Sequence, residues 1–207
     1  NADKVSRFVD EATRMGIEVM GPDINESLES FTPVVEKQSG GRQRIRFGLA
    51  AVKGVGDAAA RVILEERSSH GNYVDFRDFV TRVDGKSCNR RVLECLIKTG
   101  AFDFAGVDRR HLLDSLDAIL SDVAELQKDR VSGQANMFDM LLTDAQTDAA
   151  GVTAYNTTNP PMSQLERLQY ERELIGFYLS GHPMNQFAGM DAWVNSFGPG
   201  EDLKKCD

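Results

Sequence analysis

A chain of 207 residues, 41% hydrophobic and 27% charged, can bury one ordinary core with a smaller annex and still present a soluble surface. Its net charge of -8 speaks against a general nucleic-acid coat, and its three cysteines and three histidines lack the spacing of a disulfide framework or a zinc site. The most apolar stretch, around LIGFYL, is far too short to cross a bilayer, and no basic-then-apolar leader precedes it, so the expectation is a cytoplasmic protein with no membrane role. Opening on Asn1-Ala2 rather than Met, the sequence reads as a piece of a longer protein.

In chain order, Asp3 is placed to cap a helix whose apolar positions Val5, Phe8, Val9, Ala12 and Met15 recur at helical spacing, with Gly16 as its stop. A strand-like IEVM follows, then the turn chemistry of GPDINESLES. FTPVV and RQRIRF flank a Ser-Gly-Gly turn and predict a small hairpin, in which Pro33 confines its strand to an edge. From Phe47 onward the pattern is helical. A short helix passes through Leu49 and Val52, and a longer one runs from about Asp57 to Arg67. Further helices are expected near Asp75 to Val83, Asn89 to Lys98 and Asp108 to about Lys128. The last carries Leu112, Leu116, Ile119, Val123 and Leu126 on one core-facing stripe. Between Ser132 and Met162 the texture turns to Gly, Asn, Thr, Asp and Pro, as in a linker. Ser163 and Glu166 then form a capping box ahead of a helix through Leu165, Leu168, Ile175 and Leu179.

The charge is unevenly spread. From Lys37 to Leu64 stand Lys37, Arg42, Arg44, Arg46, Lys53 and Arg61 against a single acid, Asp57. Inside this window lies LAAVKGVGDAAARVILEER, in which Leu49, Val52, Gly54, Val55, Gly56 and Ala60 have a spacing suited to a tight turn between two helices. Glycine admits torsions and approaches that a β-carbon obstructs. Val55 fits the gap between the helices, and Ala60 lets them cross closely. Free amides at the start of the second helix favour a phosphate oxygen, while Lys53 and Arg61, with Arg46 upstream, supply cations. Alternatively, the glycines serve only the turn and Asp57 caps the helix, its carboxylate repelling phosphate. The pattern resembles the helix-hairpin-helix family of sequence-nonspecific DNA-binding modules, which hold a backbone without reading bases. That resemblance implies contacts from Lys53, Gly54, Val55 and Gly56, to which the basic window adds Arg61 and Arg46 as candidate DNA-binding cations. LIKTGAFDFAGVDRRHLLDSL repeats the order helix, glycine turn, helix without the paired glycines, so it reads mainly as a packing partner whose Arg109 and Arg110 are secondary candidates. The fold class expected is mainly α: a tandem helix-hairpin-helix domain with a small α/β N-terminal annex.

GQANMFDML sets Met137 and Phe138 side by side in polar surroundings, three residues after Gln134. Such a pair either folds back on the chain's own core or anchors in a partner's pocket. The pattern is similar to the peptide by which bacterial replication proteins bind the sliding clamp, with Asn136 where Asp or Leu is frequent. EATRMGIEVMGPDINES, FGLAAVKGVGDAAARVILEER, NRRVLECLIKTGAFD, GQANMF and ERELIGFYLSGHPMNQF stand in the order found in the alpha subunits of bacterial DNA polymerase III, which nearly the whole chain resembles.

The resemblance implies four parts: the end of the fingers at 1–46, the tandem helix-hairpin-helix region at 47–130, the clamp peptide and linker at 131–162, and a helix leading toward an OB-type domain at 163–207. It also implies duplex DNA, the sliding clamp and other holoenzyme subunits as partners, with Gln134, Met137 and Phe138 filling the clamp's pocket. Catalytic aspartates and their magnesium belong to a palm domain upstream in that family. No catalytic residue, metal ligand or cofactor is therefore expected here. The role implied is to hold duplex product and tether the polymerase. Other readings are a helix-hairpin-helix piece of a repair nuclease or helicase, part of an error-prone polymerase paralogue, or an interaction domain that binds no DNA.

Overall fold

The structure is a computed structural model, and it describes residues 2–34, 43–131 and 155–181. Helix α1 (Ala2–Arg14) leads into strand β1 (Glu18–Met20), followed by β2 (Thr32–Val34) and β3 (Arg44–Arg46). The helix already includes Ala2, so Asp3 lies in its first turn rather than at its cap. β2 and β3 pair antiparallel as the expected hairpin, and Pro33 stands on the edge strand opposite Ile45. β1 adds in parallel on the other side of β3, giving the order β1-β3-β2, with Glu18 across from Arg44 and bonded to it at 2.9 Å. The apolar stripe of α1 is only partly covered: Val9 packs against the core, whereas Phe8 and Met15 are 70% and 72% exposed.

The expected short helix after Phe47 is a single 3₁₀ turn, Leu49–Ala51. It feeds α2 (Gly56–His70), α3 (Phe76–Arg82), α4 (Arg90–Thr99), a second 3₁₀ turn (Asp103–Ala105), α5 (Arg109–Val131) and α6 (Gln164–Leu174). Local capping chemistry sets several of these starts. Asp75 accepts from the Asp78 amide, Asn89 from the Val92 amide, and Ser163 and Glu166 bond reciprocally. Leu112, Leu116, Ile119 and Val123 of α5 are buried as their spacing predicts. The α6 helix stops at Leu174 instead of continuing through Leu179. Glu171, itself buried, turns its carboxylate to the amides of Leu179 and Ser180 and to the Ser180 hydroxyl, and the chain folds back at Gly176.

One hydrophobic cluster joins segments that the sequence presents as separate, running from Ile24 and Phe47 through α2 to α5 and on to Leu174, Ile175 and Phe177. Within it Phe76 and Phe79 each meet Phe102 edge to face. The N-terminal annex is tied down by polar bonds as well: Arg67 donates to the Ile24 and Ser27 carbonyls, and Asn25 exchanges bonds with Tyr73. Residues 155–162, which the composition placed within a linker, lie along α5. Asn156 donates its amide to Ser115, Asn159 its side-chain amide to Asp114, and Met162 is buried.

Candidate nucleic-acid interface

The turn between the Leu49–Ala51 helix and α2 is built from alternating anchors and open positions. Val52 and Val55 are buried, and between and after them Lys53, Gly54, Gly56 and Asp57 are exposed. Ala60, in the second turn of α2, is fully buried as well. The Lys53 amide donates to the Leu174 carbonyl at 2.9 Å, and the Val55 amide to Val52 at 3.1 Å, which pins the turn against α6.

Both glycines adopt left-handed torsions, φ +94° at Gly54 and +69° at Gly56, a region that costs other residues free energy. Their surroundings differ. A β-carbon at Gly54 would come within 2.8 Å of Cys95 Sγ on α4, while one at Gly56 would meet nothing within 4 Å. Gly54 therefore lets the turn pass close to Cys95 on α4, and Gly56 leaves open space beside the start of α2.

That helix start is uncapped: Val55 occupies the cap position and makes no side-chain bond. The first amides of a helix have no intrahelical acceptor and carry the positive end of the macrodipole, so an anion is favoured there. Asp57, in the first turn, complements the same dipole and competes with any incoming anion. Lys53 and Arg61 are exposed and form no ion pair among the described residues.

The other predicted cations are already engaged. Arg46 donates to the Gly21 carbonyl and pairs with Glu26, and it lines a cavity of about 350 Å³ with Asp23, Arg109 and Glu171, not with the turn. Burial is the main reason the Asp23 carboxyl is pushed up from its ordinary value. At the second glycine turn the contrast is sharper. Gly100 ends α4 in a left-handed conformation, and the Arg109 guanidinium fills the space beside it, held by Asp103 at 2.6 and 2.9 Å and by the Lys98 carbonyl. Arg109 is buried, and Arg110 is paired with Glu166. An internal cation thus occupies the place where a second hairpin would offer its backbone, which agrees with reading that unit as a packing partner. Neither this plug nor the contact between Gly54 and Cys95 is legible in the sequence, where the one signal is the position of Cys95 among the apolar residues of α4.

Gln134, Met137 and Phe138 lie outside the described residues. Among the described residues no group of three or more His, Cys, Asp and Glu side chains is placed to hold a metal ion. Nor is any helix among them long and apolar enough to cross a membrane.

A helix-hairpin-helix motif model matches residues 16–112, a span that includes both glycine turns. The chain is 37% identical to the DNA polymerase III subunit alpha of Deinococcus radiodurans over 99% of its own length and 15% of that protein. To the same subunit of Thermus aquaticus it is 37% identical over 92% of this chain and 14% of the relative, and to that of Vibrio cholerae 37% over 90% and 15%. It thus spans about 15% of the length of the curated relatives it matches. Matching along nearly all of its own length, and carrying the helix-hairpin-helix fold in the matched region, the chain belongs to the family of DNA polymerase III subunit alpha.

Proposed function

We propose that this chain is a noncatalytic segment of a replicative DNA polymerase III alpha subunit that grips the backbone of duplex DNA through the Lys53–Gly56 turn and the start of α2. The carrying observation is an exposed, uncapped helix start opened by Gly56 and flanked by Lys53 and Arg61, two cations without an ion-pair partner among the described residues. Such a site suits phosphate and has no means of reading bases. Nucleotide addition belongs to the rest of the parent, and no chemical step is assigned to these residues. The same reading gives Gln134, Met137 and Phe138 to the sliding clamp, so that tethering raises the effective concentration of polymerase at its template. Other holoenzyme subunits would gather on the parent in the cytoplasm.

Anisotropy of a labelled duplex across a salt series tests the DNA grip. Binding should be independent of sequence and fall steeply with salt, and Lys53→Glu should weaken it by about tenfold without altering the circular dichroism. An unchanged affinity in that variant, or no binding at low salt, would transfer the turn to a purely structural role. Cleavage or unwinding of the duplex would instead favour a repair nuclease or helicase parent. For the tether, Phe138→Ala should lose capture by an immobilised bacterial clamp, because a buried aromatic anchor carries about 2 kcal/mol or more of such interfaces. Full retention would remove the peptide from the account.

A further inference from the structure

Helix α4 reaches the glycine turn through Cys95, whose Sγ would lie 2.8 Å from a β-carbon on Gly54. Residues four apart on a helix are neighbours on one face, with β-carbons about 5–6 Å apart. Arg91 stands one turn before Cys95, on the side of α4 that meets the turn, and Lys98 stands about one turn after it. Burial raises the Cys95 thiol, and the charges of Lys98 and Arg91 pull it back, so both cations lie within electrostatic reach of the sulfur that touches the turn.

The three basic residues of α4 near this point are not equivalent. Arg90 is paired with Glu94 and Asp117. Lys98 holds its ammonium 5.0 Å above the Tyr170 ring. Arg91 is exposed and has no ion pair among the described residues. Two acids, Glu94 and Glu173, also act on Cys95, but Glu94 is bonded to Arg90, which leaves Glu173 on α6 as the exposed opposing charge.

We propose that Arg91 is a third cation of the duplex-binding surface, delivered to a backbone phosphate by α4 alongside Lys53 on the turn and Arg61 on α2. The inference rests on the duplex reading above. Through it the second helical unit, whose own glycine turn is plugged by Arg109, contributes to the grip by a helix face instead of a hairpin. A guanidinium suits this task because its planar fork matches phosphate geometry.

The test compares Arg91→Gln, Arg91→Lys, Arg90→Gln and Lys53→Glu in the duplex salt series, with unchanged thermal melting as the fold control. Arg91→Gln should weaken binding about five- to tenfold and make the salt slope shallower by about one, as expected for one lost phosphate contact. Arg91→Lys should restore the slope, and Arg90→Gln should match the parent chain. If Lys53→Glu loses affinity while Arg91→Gln keeps both affinity and slope, the role of Arg91 is overturned and the duplex reading stands. Equal losses in Arg90→Gln and Arg91→Gln would also overturn it, since only a diffuse field would then be at work. If the parent chain itself fails to bind, both readings fall together.

Discussion

At Gly54 the backbone turns with φ +94° and leaves 2.8 Å between an added β-carbon and Cys95 Sγ, whereas at Gly56, with φ +69°, nothing lies within 4 Å. An alanine at either site meets the left-handed penalty of about 1–2 kcal/mol. At Gly54 it also overpacks a buried contact, which adds about 1–3 kcal/mol. Gly56→Ala should therefore lower the urea-unfolding free energy by about 1 kcal/mol, and Gly54→Ala by at least twice as much. Adding Cys95→Ala to Gly54→Ala should recover part of that difference, because residues in contact are not additive. Equal losses at the two glycines would show that Cys95 does not crowd the turn.

Helix α6 is held at its start by charges and at its end by the glycine turn. Arg167 bonds Asp108 at 2.7 Å, Arg110 pairs with Glu166, and the Lys53 amide donates to Leu174. Burial works against the Asp108 carboxylate, but the amides of Met162 and Arg110 and the Arg167 guanidinium outweigh it and hold its pKa below the ordinary 3.8. Glu166 is held below 4.5 by the Ser163 amide and hydroxyl and by Arg110. Because both carboxyls are depressed in the folded state, their stabilisation is present above those ordinary values and is lost as pH falls through the folded ones. Asp23, with its raised value, acts in the opposite sense and favours the fold at low pH. The residues of α6 should therefore lose hydrogen-exchange protection below about pH 4, ahead of α2 and α5. Simultaneous loss in all three helices would mean that the acid pairs do not govern α6.

Over the whole molecule, a single cluster joins the annex, the hairpins and α6, so at neutral pH, where the acid pairs of α6 are intact, urea should open its parts together. Cys88 and Cys95 report on this because both thiols are buried. Burial and the neighbouring Asp84 push Cys88 up to about 12, and burial raises Cys95. Only a thiolate alkylates readily. In a Cys206→Ser variant, both remaining thiols should be protected from iodoacetamide and become reactive together as urea approaches the unfolding midpoint. Rapid labelling of Cys95 alone would instead show that the turn and α4 separate without global unfolding.

Features decided within a few residues were legible in the sequence. The caps at Asp75, Asn89 and Ser163, the confinement of Pro33 to an edge, and the alternation of buried valine with open glycine from Val52 to Gly56 all follow from local torsions and hydrogen bonds. Pairings between distant positions were settled by the tertiary structure. It set β1 in parallel beside β3, ended α6 early through Glu171, and left Phe8 and Met15 of the first apolar stripe in solvent. It also sorted the cations, spending Arg46, Arg109 and Arg110 on Glu26, Asp103 and Glu166 while leaving Lys53, Arg61 and Arg91 unpaired among the described residues. An arginine carries the same charge wherever it stands, and only the fold determines whether a carboxylate reaches it before a phosphate can.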